Sequence, residues 1–151
     1  MGLNVKISVR GSERVRKFFQ ETPREMRARI AEDLYDWCDD FLVERVRLNT
    51  PIRTGRLRRS LEVTPAVIRG NRVSTGIQST ANHALRMHEA EYQLGPVSRV
   101  QPGQPEGGVG RKYVTRVLRY HARSLRLIIG GSVTRTIRKL YPESGRVRQL
   151  R

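Results

Sequence analysis

Cysteine is almost absent from this chain of 151 residues. Cys38 stands alone, which excludes an internal disulfide framework and any zinc site built from several thiolates. Aromatic residues make up 6% and do not interleave with the basic runs, so no stacking platform for single-stranded nucleic acid is expected. No apolar run approaches the ~20 residues that cross a bilayer. Met1 to Arg10 lacks the apolar core of a signal peptide, and the expectation is a protein made in the cytoplasm with no membrane partner. Catalytic signatures are missing as well: there is no Gly-x-x-x-x-Gly-Lys phosphate loop, no serine nucleophile elbow and no Cys-His arrangement. Zinc-finger spacing and RNA-recognition motifs are likewise missing, which argues against sequence-specific base reading.

Acid is scarce too, with 14 Asp and Glu against 30 Lys and Arg, a formal net charge of +16 and a pI near 11.4. Such a balance points to nucleic acid or acidic protein as partner and says nothing about fold. Hydrophobic residues are 37% of the chain; with glycine counted and tyrosine left out the fraction is roughly 42%, below the ~45–50% of an average globular chain. One modest core is expected, stabilised in part by contacts with other copies.

What is abundant is arginine, 26 of the 30 basic residues. Lys112, Arg116, Arg119, Arg123 and Arg126 follow one another at steps of four and three, with Val114, Val117, Leu118, Leu125 and Ile128 on the other side. This spacing predicts an amphipathic helix that anchors by one face and presents guanidinium groups on the other. Arginine keeps its charge at any working pH and grips phosphate or carboxylate with a fork of donors. A merely solvated face is the competing reading.

Along the chain, Leu3, Val5, Ile7 and Val9 alternate with polar residues as in a half-buried strand. Val15, Phe18 and Phe19 suggest a short helix after the Gly11-Ser12 turn. Thr22, Pro23 and Glu25 form a helix start, and Met26, Ile30, Leu34, Trp37, Phe41 and Leu48 mark one apolar face of a long helix reaching about Arg47, with Cys38 as a small core residue beside it. Glu32, Asp36, Asp40 and Glu44 repeat at i,i+4 on the opposite face, with Asp33 and Asp39 alongside. Like charges so spaced cost a few tenths of a kcal/mol per pair, so an oppositely charged partner is expected. Asn49, Thr50 and Pro51 stop the helix, and Arg53 to Ser60 follows as a basic turn.

Leu61 to Arg69 and Arg72 to Gln78 read as a hairpin turning at Gly70-Asn71, with Pro65 requiring an edge or bulge position. Ala81 to Glu91 fits a short helix or a strand. Leu94 to Gly110, rich in Gly and Pro, is expected to be a loop without regular structure, poorly ordered in the free subunit. A break is expected at Gly130-Gly131, followed by a last helix or strand over Val133 to Tyr141 and a basic tail over 142–151. The whole reads as a single α+β domain over 1–141: a small antiparallel or mixed sheet with a hairpin, packed by one long helix and a second amphipathic one.

His83, His88, Glu89 and Glu91 form the one cluster resembling a metal or acid–base site. The histidines are five apart, whereas zinc-protease helices place them four apart around a glutamate. A surface or interface role is preferred, and no metal, cofactor or catalytic residue is assigned. His121 falls on the apolar side of the stripe helix as a packed core histidine. Arg53, Arg56, Arg58 and Arg59 could contact phosphates or pair with carboxylates of a neighbouring copy.

The order of elements around Thr50-Pro-Ile-Arg-Thr-Gly-Arg-Leu-Arg-Arg-Ser-Leu61, Ala84-Leu-Arg-Met-His-Glu89 and Arg111-Lys-Tyr-Val114 resembles the neck or tail-completion proteins of long-tailed bacteriophages. That family commonly carries a Pro-x-x-Thr-Gly-x-Leu-(Arg)-x-Ser segment after its first long helix, and the resemblance runs from about Val5 to Ile129. Two features depart from it: His83-Ala84 stands where the family often has Tyr-Ala, and the Gly-Thr that follows its glutamate in many members is missing. The resemblance implies a non-enzymatic virion subunit at the head-to-tail junction, forming a ring, expected to be hexameric, around the channel for double-stranded DNA and contacting other junction and tail proteins. Candidate subunit-interface residues are then Glu32, Asp36, Asp40 and Glu44 on one side, with Lys112, Arg116, Arg119, Arg123 and Arg126 on the other. Arg53, Arg56, Arg58 and Arg59 are candidates for lining the channel. The alternative is a basic, sequence-nonspecific nucleic-acid-binding protein acting alone or as a dimer. A metal-dependent nuclease using His88, Glu89 and Glu91 ranks last.

Overall fold

A computed structural model describes residues 3–8, 24–70, 72–102, 104–140 and 142, the first of these segments by its backbone alone. The expected helix around Val15 to Phe19, its neighbouring cap at Thr22-Pro23 and the basic tail after Pro142 lie outside the described residues. Strand β1 (Leu3–Ser8) pairs antiparallel with β3 (Arg72–Ser79), which pairs antiparallel with β2 (Leu61–Arg69), giving the order β1-β3-β2. The β2–β3 hairpin turns at Gly70, whose φ of 56° is left-handed. Pro65 lies where the sheet tolerates it: β2 is an edge strand, and the register slips between Thr64 and Val67. A proline has no N–H to give to a ladder, so an edge or a bulge is where it fits.

One continuous helix crosses the sheet, composed of α1 (Arg24–Trp37), a wider π turn (Cys38–Leu42) closed by the Val43 N–H on the Cys38 carbonyl, and α2 (Val43–Asn49). Its buried side is Met26, Ile30, Leu34, Cys38, Leu42 and Val46, a ladder of strict i+4 steps. In a regular α-helix each such step drifts by about 40°, and the wider turn takes up part of that drift. The expected apolar face holds through Trp37, which packs half-buried against the core, with Cys38 buried beside it as expected, and fails at Phe41 and Leu48. Phe41 and Leu48 are 36% and 40% exposed, while Cys38 and Leu42 hold the core against Leu61, Val73 and Ile77.

Ala84–Glu89 is helical (α4), as is the single turn Arg56–Arg59 (α3) inside the expected basic turn. The segment expected to lack structure carries a further turn of helix, Pro96–Arg99 (α5), and a buried glutamate. The arginine-stripe region is two helices, α6 (Tyr113–Tyr120) and α7 (Ala122–Leu140), jointed at His121. Tyr113, Val114 and Val117 of α6 complete the core. Contrary to the expected break, α7 runs through Gly130-Gly131. Two glycines cost about 2 kcal/mol in a helix interior, and packing offsets this: Ser132 and Thr136 are buried, and the Ser132 hydroxyl donates to Asp33 Oδ2 (2.5 Å) while Arg135 grips the same oxygen at 2.6 Å. Because Asp33 meets Ser132 and Phe41 meets His121, α7 runs antiparallel to the long helix.

Candidate functional site

The Pro51 to Ser60 segment builds the corner between the long helix and the hairpin. The Thr50 hydroxyl donates to the Val46 carbonyl (2.7 Å) and ends the helix. Gly55 adopts φ 74°, a left-handed conformation that favours glycine, and the tip of the exposed Arg59 side chain lies over it. Leu57 is buried, and the Ser60 hydroxyl bridges the Leu57 carbonyl (2.8 Å) and Ser79 (2.7 Å). Arg58, a candidate for the DNA channel, is half-buried, donating to the Thr50 carbonyl (3.1 Å), the Leu48 carbonyl (3.3 Å) and Gln101. Burial lowers its pKa without discharging it. Arg59 donates to the Thr54 carbonyl at 3.2 Å. Arg53 and Arg56 are exposed, and their guanidinium groups make no hydrogen bond or ion pair among the described residues.

The arginine stripe divides in the same way. Lys112 pairs with Glu89, whose pKa is lowered by that contact and by His88. Arg116 turns inward, donating to the Gly107 and Gly108 carbonyls (2.6 and 2.8 Å). Arg119, Arg123 and Arg126 remain exposed without a counter-ion among the described residues. On the long helix, Glu32 pairs with Arg29 and Glu44 with Arg47. Asp33 is shared by Ser132, Arg135 and Arg29; burial works to raise its pKa, and these partners bring it below the ordinary carboxylate value. Asp36, Asp39 and Asp40 are exposed and unpaired among the described residues, a compact negative patch at and just before the π turn.

Of the two histidines in the cluster that the sequence singled out, one is buried and one exposed. His88 is buried; its Nδ1–H donates to Glu89 (2.6 Å), its Nε2 lies 3.4 Å from the Thr115 hydroxyl, and its ring meets Tyr113 edge-on. The chain of Thr115, His88 and Glu89 has the connectivity of a nucleophile, base and orienter, and neither His88 nor Thr115 lines the groove described below. His83 is exposed, and among the described residues no three His, Cys, Asp or Glu side chains gather to hold a metal. No helix of the described residues is long and apolar enough to cross a membrane.

Glu106 is the residue that sequence reasoning missed. It is buried in the Gly/Pro segment, where Arg45 Nε (2.6 Å) and His121 Nε2 (2.8 Å) donate to its Oε1, and Asn49 Nδ2 approaches Oε2 at 3.5 Å. Burial alone would raise its pKa; the hydrogen bonds from Arg45, His121, its own backbone N–H and Asn49 outweigh that and hold it at about 2. The same contact raises the pKa of Arg45. The signal available in the sequence was that Glu106 is the one acid between Glu91 and Glu143.

Between the corner and the segment after α4 lies an open groove of about 840 Å3. Ile52, Leu57, Met87, Tyr92 and Leu94 form its apolar lining, and Arg53, Arg56 and Arg86 stand on its rim. Its one acid, Glu91, is engaged by Arg111 at 2.6 Å. Compared with family models, characterised proteins and solved structures, the chain gives no significant match to any of them.

Proposed function

We propose that this chain is a structural subunit of the bacteriophage head-to-tail junction, assembling with copies of itself into a hexameric ring around the DNA channel and acting without catalysis in the virion. The observation that carries the reading is the unpaired patch of Asp36, Asp39 and Asp40 on a chain of net charge +16. Glu25 and Glu62 apart, every other described carboxylate has a cationic partner. Three adjacent unpaired carboxylates repel one another, whereas a basic surface on a neighbouring copy relieves that repulsion and orients the contact. The resemblance of Pro51 to Leu61 to the phage family supports the same reading. Exposed arginines without base-reading motifs suit phosphate contact that is indifferent to sequence.

Sedimentation velocity and negative-stain microscopy over a concentration series, with DNA titrations at low and high salt, test the proposal. Rings that appear with concentration, together with weak salt-sensitive DNA binding by the isolated subunit, are expected. Tight DNA binding by a monomer or dimer that never assembles would instead favour a basic nucleic-acid-binding protein.

A further inference from the structure

We infer that the groove between the Pro51–Leu57 corner and the His83–Ser98 segment is a docking site for a second copy of this chain, and that its occupant is the Asp36/Asp39/Asp40 patch. The inference rests on the ring reading above and specifies which surfaces meet.

Charge complementarity selects the occupant. Arg53, Arg56 and Arg86 come from two separate segments and converge on one rim, and none of their guanidinium groups has a partner among the described residues. The groove's single carboxylate, Glu91, is already bound to Arg111. Three free guanidinium groups around one groove suit a ligand that presents carboxylates. The long helix offers them: Asp36, Asp39 and Asp40 are exposed and unpaired among the described residues. Arginine is suited to the role because its planar fork holds a carboxylate by two parallel bonds and is weakly hydrated. A space of about 840 Å3 is of the size that takes a drug-sized molecule, and hence a few side chains projecting from a helix ridge.

The two surfaces of one copy do not reach each other. Asp40 precedes Pro51 by eleven residues, most of them helical, a separation on the order of 15 Å along a rigid axis. A contact between unlike patches therefore joins different copies and leaves one patch of each kind free at either end, the arrangement that closes into rings when the rotation fits. The alternative counterpart, the arginine stripe, is depleted by the structure itself, since Lys112 is paired with Glu89 and Arg116 is spent on the Gly107 and Gly108 carbonyls. Arg119, Arg123 and Arg126 are exposed on α6 and α7 and do not line the groove.

Charge reversal in the full chain tests the pairing, with assembly followed by native mass spectrometry and folding checked by circular dichroism. Asp36→Arg with Asp40→Arg should raise the concentration needed for half-assembly by about tenfold or more, the effect of 1.4 kcal/mol per contact. Adding Arg53→Glu, Arg56→Glu and Arg86→Glu should return it to near the wild-type value. These side chains are exposed and unpaired, so the variants should keep the wild-type spectrum. Restoration by Arg119→Glu, Arg123→Glu and Arg126→Glu in place of the rim reversals would overturn the inference and assign the acidic patch to the stripe. Rings that form with unchanged concentration dependence in the acidic-patch variant would overturn it while leaving the ring reading intact. A wild-type chain that stays monomeric at every concentration would overturn both.

Discussion

Replacing Glu106 by Gln keeps the shape of the side chain and removes its charge, leaving Arg45 without a counter-ion. The Glu106 side chain is fully buried, and Arg45 is 24% exposed. In the folded protein the carboxylate titrates at about 2 against an ordinary 4.5, and that depression corresponds to about 3 kcal/mol of folding free energy at neutral pH. The folded pKa is depressed, so this stabilisation is present in full above the unfolded value and is lost as pH falls from near 4.5 towards 2. In a chain of this length a loss of about 3 kcal/mol lowers Tm by roughly 6–12 °C. Thermal melts of wild type and Glu106→Gln at pH 7 and at steps down to pH 2.5 measure it. The difference between the two proteins should be largest at pH 7 and shrink through the acid window. Asp33 titrates there as well, but it does so in both proteins and cancels in the difference. A Glu106→Gln protein that melts within about 2 °C of wild type at pH 7 would falsify the assignment of Glu106 as the residue that orders the Gly/Pro segment.

The continuity of α7 has its own test: a Cβ at Gly130 would meet no atom within 4 Å, so Gly130→Ala should stabilise the protein by roughly 0.5–1 kcal/mol, read as a higher urea midpoint with unchanged slope, and a lower midpoint would mean the helix breaks there after all. Gly55→Ala should do the opposite and cost about 1–2 kcal/mol, because φ is 74° and a Cβ is strained in that conformation; an unchanged midpoint would show that the corner is loose. Limited proteolysis should spare 104–110, where Glu106 and the Arg116 contacts hold the backbone, and early cleavage there would contradict the network around Arg45.

Local pattern alone fixed a good part of this protein. Period-two alternation marked β1 and the hairpin, and Pro65 marked the bulge, because side-chain direction and a missing N–H are properties of the strand itself. The stop at Asn49–Pro51 was legible for the same reason, as was the segregation of acid onto one helix. The tertiary structure decided what depended on partners distant in the chain. Leu42 replaced Phe41 in the core because a π turn, which no spacing rule announces, keeps the i+4 ladder against the sheet. Gly130-Gly131 stayed helical because Asp33, about a hundred residues earlier, holds Ser132 and Arg135. Glu106 ordered a segment without apolar periodicity by reaching Arg45, 61 residues away. The sequence counted the arginines; which of them are free was settled only by folding, which turned Arg58 and Arg116 onto backbone carbonyls and left Arg53, Arg56 and Arg86 on the rim of a groove. A guanidinium group takes whichever acceptor the fold brings within reach, and no local pattern carries that information.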